Sequence, residues 1–267
     1  MKFYKFGNPE KPVIMLLPGT CCFWRANFGE VIPLLARDFN VVCVSYDGFD
    51  EKERGIFPDM ITETIKIEQY ILDNFDGRIC CAYGSSLGGS FVGLLVQRGN
   101  VHIYHAILGS SDLDQDDGFS AKFKAWLIGK IFFRIFQEGK LPKFMEKRLE
   151  KKPAEERKYY DKMLYMFGMN NTHMAFVKRQ SIQNQFYSDL IAPLEDDIFM
   201  PDTIVHIFYA VKMGDKYLER YNKHFKTPDI RRHNMQHEEL LICYPSRWVN
   251  EVKKCCGLES EPNGQFK

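Results

Sequence analysis

The sequence predicts a doubly wound, mostly parallel α/β sheet with an all-helical insertion, and three observations carry that reading. Short apolar runs alternate with amphipathic stretches up to about residue 111 and again from residue 202, the rhythm of strands joined by crossover helices. Gly84-Ser85-Ser86-Leu87-Gly88 stands between the apolar run 78–83 and the apolar run 91–97, where a strand must turn sharply into a helix. The alternation then stops over 113–200, which shows helical patterns and no good strand.

Taken in order, 3–6 opens as a short strand. Val13-Ile14-Met15-Leu16-Leu17 is continuous and apolar, as a strand covered on both faces should be, and it ends in Pro18-Gly19-Thr20-Cys21-Cys22. A helix over 26–37 precedes a strand over 41–46, which Asp47-Gly48 closes. Residues 60–75 form a helix whose Ile61, Ile65, Ile71, Leu72 and Phe75 fall near one face, with Glu68 the misfit. Strand 78–83, helix 91–97 and strand 102–108 follow, the last ending in Gly109-Ser110-Ser111-Asp112. Beyond the insertion come a strand over 203–209, a helix over 216–225, a short strand over 230–233 and a helix over 246–256 with Pro245 at its entrance. The polar tail 257–267 is expected to fray. The domain division is therefore 1–111 and 202–267 for the sheet unit and 112–201 for the insertion.

With 267 residues, 45% of them hydrophobic, the chain can bury a large core. Its 36 basic and 35 acidic residues balance, which removes the electrostatic case for nucleic acid. The eight cysteines include no C-x-x-C, so metal-ligand spacing is absent and buried free thiols in a reducing compartment are expected. The first residues carry no signal-peptide apolar stretch, and no apolar run approaches the ~18–20 residues of a membrane span. A cytoplasmic location without stable membrane insertion is the expectation.

The glycines of Gly84-x-Ser86-x-Gly88 answer to crowding. A strand that turns straight into a helix leaves no room for side chains beside the turning residue. The serine at the apex presents its hydroxyl outward in strained geometry, and the Leu87 N–H at the new helix start is placed to bind an oxyanion.

On these residues the sequence resembles the α/β-hydrolase family. The likeness covers 1–111 and 202–256 and rests on Gly84-Ser85-Ser86-Leu87-Gly88-Gly89, on Pro18-Gly19-Thr20 and on Gln236-His237 before the last helix. It implies the doubly wound sheet, a helical lid inserted after the sixth strand, no metal, no organic cofactor, and a triad in the chain order nucleophile, acid, histidine. Ser86 matches the nucleophile and needs a neighbouring base. Among seven histidines His237 matches that base, with His233 the runner-up. His102, His105 and His206 fall in strands and read as core or sheet-end residues; His224 reads as a solvated helix residue, and His173 belongs to the insertion. For the acid, the turn Ala210-Val211-Lys212-Met213-Gly214-Asp215 puts Met213 where a carboxylate belongs. Asp215 is then the nearest candidate, with Asp112 as the alternative after the preceding strand. The second oxyanion donor is expected from Thr20, or else Cys21, in a loop where the family often has His-Gly and this chain has Pro18-Gly19.

The resemblance implies a serine hydrolase cleaving a carboxylic ester or thioester of a small or medium-sized, partly apolar molecule through an acyl-enzyme. Two alternatives stay open: an acyltransferase using the same serine, and a ligand- or partner-binding protein of the same fold without turnover. The Phe and Met residues of the insertion serve either its own core or an apolar substrate pocket. Lys122, Lys124, Lys130 and Arg134 mark either a solvated helix face or a basic amphipathic surface.

Overall fold

The computed structural model describes residues 1–113, 115–139, 141, 143–168 and 174–258. His173 and Met169 of the insertion and residues 259–267 of the tail lie outside them. The apolar runs become strands of one sheet: β1 (Lys2–Phe6), β2 (Val13–Leu17), β3 (Asn40–Ser45), β4 (Arg78–Ser85), β5 (His102–Gly109), β6 (Ile204–Ala210) and β7 (Asp229–His233). Their spatial order is β1-β3-β2-β4-β5-β6-β7. β1 runs antiparallel to β3 at the edge, and every other pair is parallel. Parallel strands need crossovers that cover both faces, which is why β3 is buried at each position and reads as an unbroken apolar run from Val41 to Val44.

The helices of the sheet unit are α1 (Trp24–Phe28), α2 (Ile32–Leu35), α3 (Met60–Phe75) and α4 (Leu87–Arg98). Between β5 and β6 come α5 (Gly118–Glu138), α6 (Lys143–Glu150), α7 (Ala154–Met166) and α8 (Arg179–Leu190). The chain closes with α9 (Asp215–His224), α10 (Glu239–Cys243) and α11 (Pro245–Cys255). The helical stretch thus follows the fifth strand and not the sixth. The expected count followed the family's numbering, whereas this chain opens directly on its antiparallel edge strand.

The single helix expected over 26–37 is two short ones, because Pro33 lacks the N–H that a helix interior needs and fits only in a first turn, that of α2. α3 has the expected bounds, with the Asp59 side chain accepting the Thr62 N–H at its start. Its misfit, Glu68, is buried because it takes Arg98 in a two-pronged ion pair, at 2.7 and 3.1 Å, and Asn100 at 3.1 Å. α10 has no counterpart in the sequence reading. In the insertion, Ala121, Ala125 and Gly129 form the buried side of α5. A Cβ on Gly129 would lie 2.5 Å from Cγ of Gln183, so small residues set how closely α5 approaches α8.

From β2 the chain passes to β3 on one side and then crosses to β4 on the other. Crossovers that diverge this way open a crevice at the carboxyl ends of β2 and β4, where α/β sheets bind ligands. The Pro18-Gly19-Thr20 loop and Ser86 both leave the sheet there.

Candidate active site

β4 ends at Ser85 and α4 begins at Leu87, so Ser86 alone makes the turn. Its φ of 49° and ψ of −113° lie outside the helical and extended regions, a conformation that persists only where the surroundings impose it. The surroundings do impose it. A Cβ on Gly84 would lie 2.0 Å from the Gly88 carbonyl oxygen, one on Gly88 2.2 Å from that of Leu17, and one on Gly89 1.7 Å from the Ser111 hydroxyl. The Ser86 carbonyl accepts the Gly89 N–H and the Ser111 hydroxyl, each at 2.8 Å. The Ser86 N–H is shared between the Gly109 carbonyl at 2.8 Å and Oε1 of Glu238 at 3.0 Å.

Glu238 is the residue that sequence reasoning missed. It is buried, in left-handed backbone at φ 55°, and follows His237 directly. Its N–H donates to Ser110 Oγ at 3.1 Å, and its Oε2 accepts the Tyr83 hydroxyl at 3.1 Å. The 234–238 loop is therefore latched to the Ser86 turn, the elbow between β4 and α4, through the residue next to His237. Burial pushes the Glu238 carboxyl up to about 8, against the opposing pull of the Ser86 N–H and the Tyr83 and Ser85 hydroxyls. His237 is half-buried, and burial lowers its imidazole to about 4. Its carbonyl accepts the Tyr159 hydroxyl of α7 at 3.0 Å, so the insertion also grips this loop. The signal available in the sequence was a carboxylate beside the histidine, in Gln236-His237-Glu238-Glu239.

The loop after β2 is fixed beside the elbow. The Gly19 N–H donates to Asn27 Oδ1 at 2.9 Å, Asn27 Nδ2 reaches Ser85 Oγ at 3.4 Å, and the Tyr46 hydroxyl donates to the Pro18 carbonyl at 3.1 Å. Among the described hydrogen bonds, none takes the Thr20 or the Leu87 amide. The Cys21 amide is different: it donates to Oε1 of Gln185, on α8, at 2.7 Å. That bond corrects the expectation of Cys21 as an oxyanion donor, since its N–H is already engaged in a left-handed turn at φ 56°.

The acid assignment also needs correction. Asp215 is exposed at the first position of α9 and makes no described hydrogen bond to His237. The turn after β6 winds into a short 3₁₀ segment, Val211–Met213, and Gly214 at φ 107° hands the chain straight to α9. The Asp215 carboxylate thereby becomes a helix N-terminal charge, favoured there by the helix dipole. Asp112 is half-buried, its carbonyl accepts an Arg220 Nη1–H at 2.9 Å, and its charge acts on Tyr221 and on Glu238. Histidine–carboxylate pairs form elsewhere. His206 binds Asp229 at 2.8 Å and His105 at 3.3 Å, starting from the first residue of β7. His224, expected as solvated, is buried beside Asp196 and bonds the Glu195 carbonyl at 2.9 Å. His233 ends β7 buried against Phe208, with neither ring nitrogen partnered among the described residues. The eight cysteines are free thiols. Among the described residues no group of three or more His, Cys, Asp or Glu could hold a metal ion, and no helix is long and apolar enough to cross a membrane.

No family model matches the chain. Among solved structures it is similar to an alpha/beta hydrolase family protein from Desulfitobacterium hafniense, at 15% identity over 95% of this chain and 99% of that one, with a TM-score of 0.75. It is similar to a thermophilic esterase from Thermogutta terrifontis, at 16% identity over 95% of this chain and 91% of that one, TM-score 0.67. It is similar as well to an enol-lactonase from Burkholderia xenovorans, at 13% identity over 96% of both chains, TM-score 0.65. A 53-residue stretch is 42% identical to part of a 1H-3-hydroxy-4-oxoquinoline 2,4-dioxygenase from Pseudomonas putida, which is 20% of this chain and 20% of that protein. These likenesses, with the sheet order and crossovers above, give the chain the α/β-hydrolase fold.

Proposed function

From the α/β-hydrolase fold of this chain, we propose a serine hydrolase that cleaves a carboxylic ester or thioester of a small or medium-sized, partly apolar molecule. The observation that carries the reading is Ser86, held at φ 49° and ψ −113° between β4 and α4 by glycines that admit no side chain. His237, kept neutral at pH 7 by its burial, takes the proton from Ser86 Oγ as that oxygen attacks the carbonyl carbon. The Leu87 and Thr20 amides receive the developing oxyanion. His237 then protonates the departing alcohol or thiol, and water releases the acyl group from Ser86 by the same steps in reverse. A carboxylate orients the imidazole, for which Asp112, half-buried after β5, is the candidate nearer the site than the exposed Asp215, and residues 112–201 serve as the lid that selects the substrate. The esterase and the enol-lactonase of the same fold act in keeping with such a substrate.

The exposed position of Asp215 at the start of α9 favours a second reading, a protein that binds a ligand at this crevice without turning it over. A fluorophosphonate probe separates the two. The native protein should label and should hydrolyse p-nitrophenyl esters; Ser86→Ala should do neither, while Ser85→Ala keeps a measurable fraction of both. Labelling that survives in Ser86→Ala excludes Ser86 as the nucleophile, and a native protein that neither labels nor hydrolyses supports the binding reading.

A further inference from the structure

Helix α5 is apolar on two opposite sides. One side, with Ala121, Ala125, Gly129 and Phe136, is buried. The other carries Phe119, Phe123, Trp126, Leu127 and Ile131, which are 86, 60, 48, 43 and 38% exposed. Steps of three and four residues keep these five on one stripe. Contiguous exposed apolar surface of this kind marks a partner. Charge says which partner. From the start of α5 to Lys152 the chain has ten Lys and Arg against three Glu, a net +7 in a chain whose total is +1. Asp116 and Asp117 lie just before the helix; Asp117 caps it and Asp116 pairs with Lys124. Within the helix, Lys130 Nζ stands 5.7 Å over the Trp126 ring, whose neighbour Phe123 stacks on it at 6.2 Å, and Lys122 Nζ stands 5.9 Å over Tyr187.

We propose that α5 docks the protein on an anionic lipid surface, with the Phe119–Ile131 stripe entering the headgroup boundary and the flanking Lys and Arg meeting lipid phosphates. Aromatic rings beside lysines are the composition such an interfacial helix uses. A second copy of this chain is the poorer occupant, because it would bring a second +7 segment against the first. The arrangement is adsorption from one side and leaves the helix outside the hydrocarbon core, in keeping with the lack of a spanning helix among the described residues.

The full chain would be sedimented with phosphatidylcholine vesicles containing about one third phosphatidylglycerol, and with pure phosphatidylcholine vesicles, at low salt. Co-sedimentation should favour the anionic vesicles by about tenfold or more and weaken as salt rises. Tryptophan emission should shift to the blue on binding. That shift reports Trp126, since Trp24 and Trp248 are only 4% and 0% exposed. The exposed double substitution Phe123→Ser with Trp126→Ser should abolish binding at unchanged melting temperature and helix content, and Lys122→Glu with Lys130→Glu should remove the preference for anionic lipid. Three results overturn the proposal: no binding to anionic vesicles at low salt, binding that the Phe123/Trp126 variant retains, or a dimer in sedimentation velocity that this variant dissolves, which would assign the face to a second copy.

Discussion

Two turns at the carboxyl edge of the sheet differ in how tightly they are made. The turn after β4 has no slack: Gly84, Gly88 and Gly89 each exclude a Cβ by contacts of 2.2 Å or less, and Ser86 sits in backbone that only those contacts sustain. The turn after β6 is loose. A Cβ on Gly214 would meet nothing within 4 Å, and Val211, Lys212 and Asp215 are exposed. Both carry a Gly and a polar residue of a kind that catalysis uses, so composition alone does not separate them. Packing does. A side chain is presented to a reaction where the fold forces its backbone, and a turn without constraint is a connection.

The contrast extends to the histidine, which is on the constrained side because Glu238 latches its loop to the Ser86 N–H. His237→Ala should therefore come close to Ser86→Ala in effect. A loss in kcat of about 10⁴- to 10⁶-fold is expected, as for a nucleophile–base pair acting as a unit. Steady-state hydrolysis of a p-nitrophenyl ester, alongside the melting temperature, checks it. A His237→Ala enzyme with a tenth of native activity would move the base elsewhere.

Glu238 gives the next effect, read in pH dependence. Activity should hold down to about pH 4, where His237 protonates, and fall above about pH 8, where Glu238 ionises against the Ser86 N–H. Stability follows with opposite signs. His237 is depressed from 6.5, so its contribution is present above pH 6.5 and is lost as pH falls toward 4. Glu238 is raised from 4.5, so its contribution is complete below pH 4.5 and is lost as pH rises through 8. Between pH 6.5 and 8 only the second changes, and the native protein should lose stability there. Glu238→Gln keeps an acceptor for Ser86 and removes the ionisation. It should flatten that decline in denaturant titrations and abolish the upper limb of the kcat/KM profile while leaving the lower limb in place. A variant that keeps the upper limb would place that ionisation on another group.

How much of this was legible in the sequence depended on the range of the interactions involved. β2 and α3 have the expected bounds because strand burial and helix termini are local patterns, but the buried side of α3 is that of Met60, Glu63, Thr64, Ile67, Glu68 and Ile71, and Ile65 and Leu72, expected on the apolar face, are exposed. The turn at Ser86 was legible because Gly84-x-Ser86-x-Gly88 is itself a local pattern, although Gly88 and Gly89 are held by Leu17 and Ser111, distant in the chain. The bond from Ser86 to Glu238 joins residues 152 apart, and no local pattern announces it. The same holds for Gln185, which takes the Cys21 amide across 164 residues. Where local signals were available and went unused, they were sterically plain: Pro33 divides the helix expected over 26–37. Asp215 stands near the family's spacing along the chain, but the 3₁₀ turn and Gly214 make it the exposed first residue of α9.

The smallest expected effect is at Asp215, and it tests the comparison most sharply because it asks for nearly nothing. If the turn after β6 is only a connection, Asp215→Asn should leave kcat/KM within about twofold of native, against the roughly 10⁴-fold loss that follows removal of an orienting acid in a serine protease. Asp215 still opens α9, with its carboxylate at the positive end of the helix dipole, and Asn retains the polar side chain without the charge. The loss of that interaction should cost about 0.3–1 kcal/mol and shrink further in high salt. The pairing of a small, salt-sensitive drop in melting temperature with unchanged turnover is the signature of a helix-terminal charge. Turnover that collapses while the melting temperature holds would instead show Asp215 reaching His237 during the reaction. The loose turn would then close only around substrate, and constraint in the free protein would be a poor guide to which residues act.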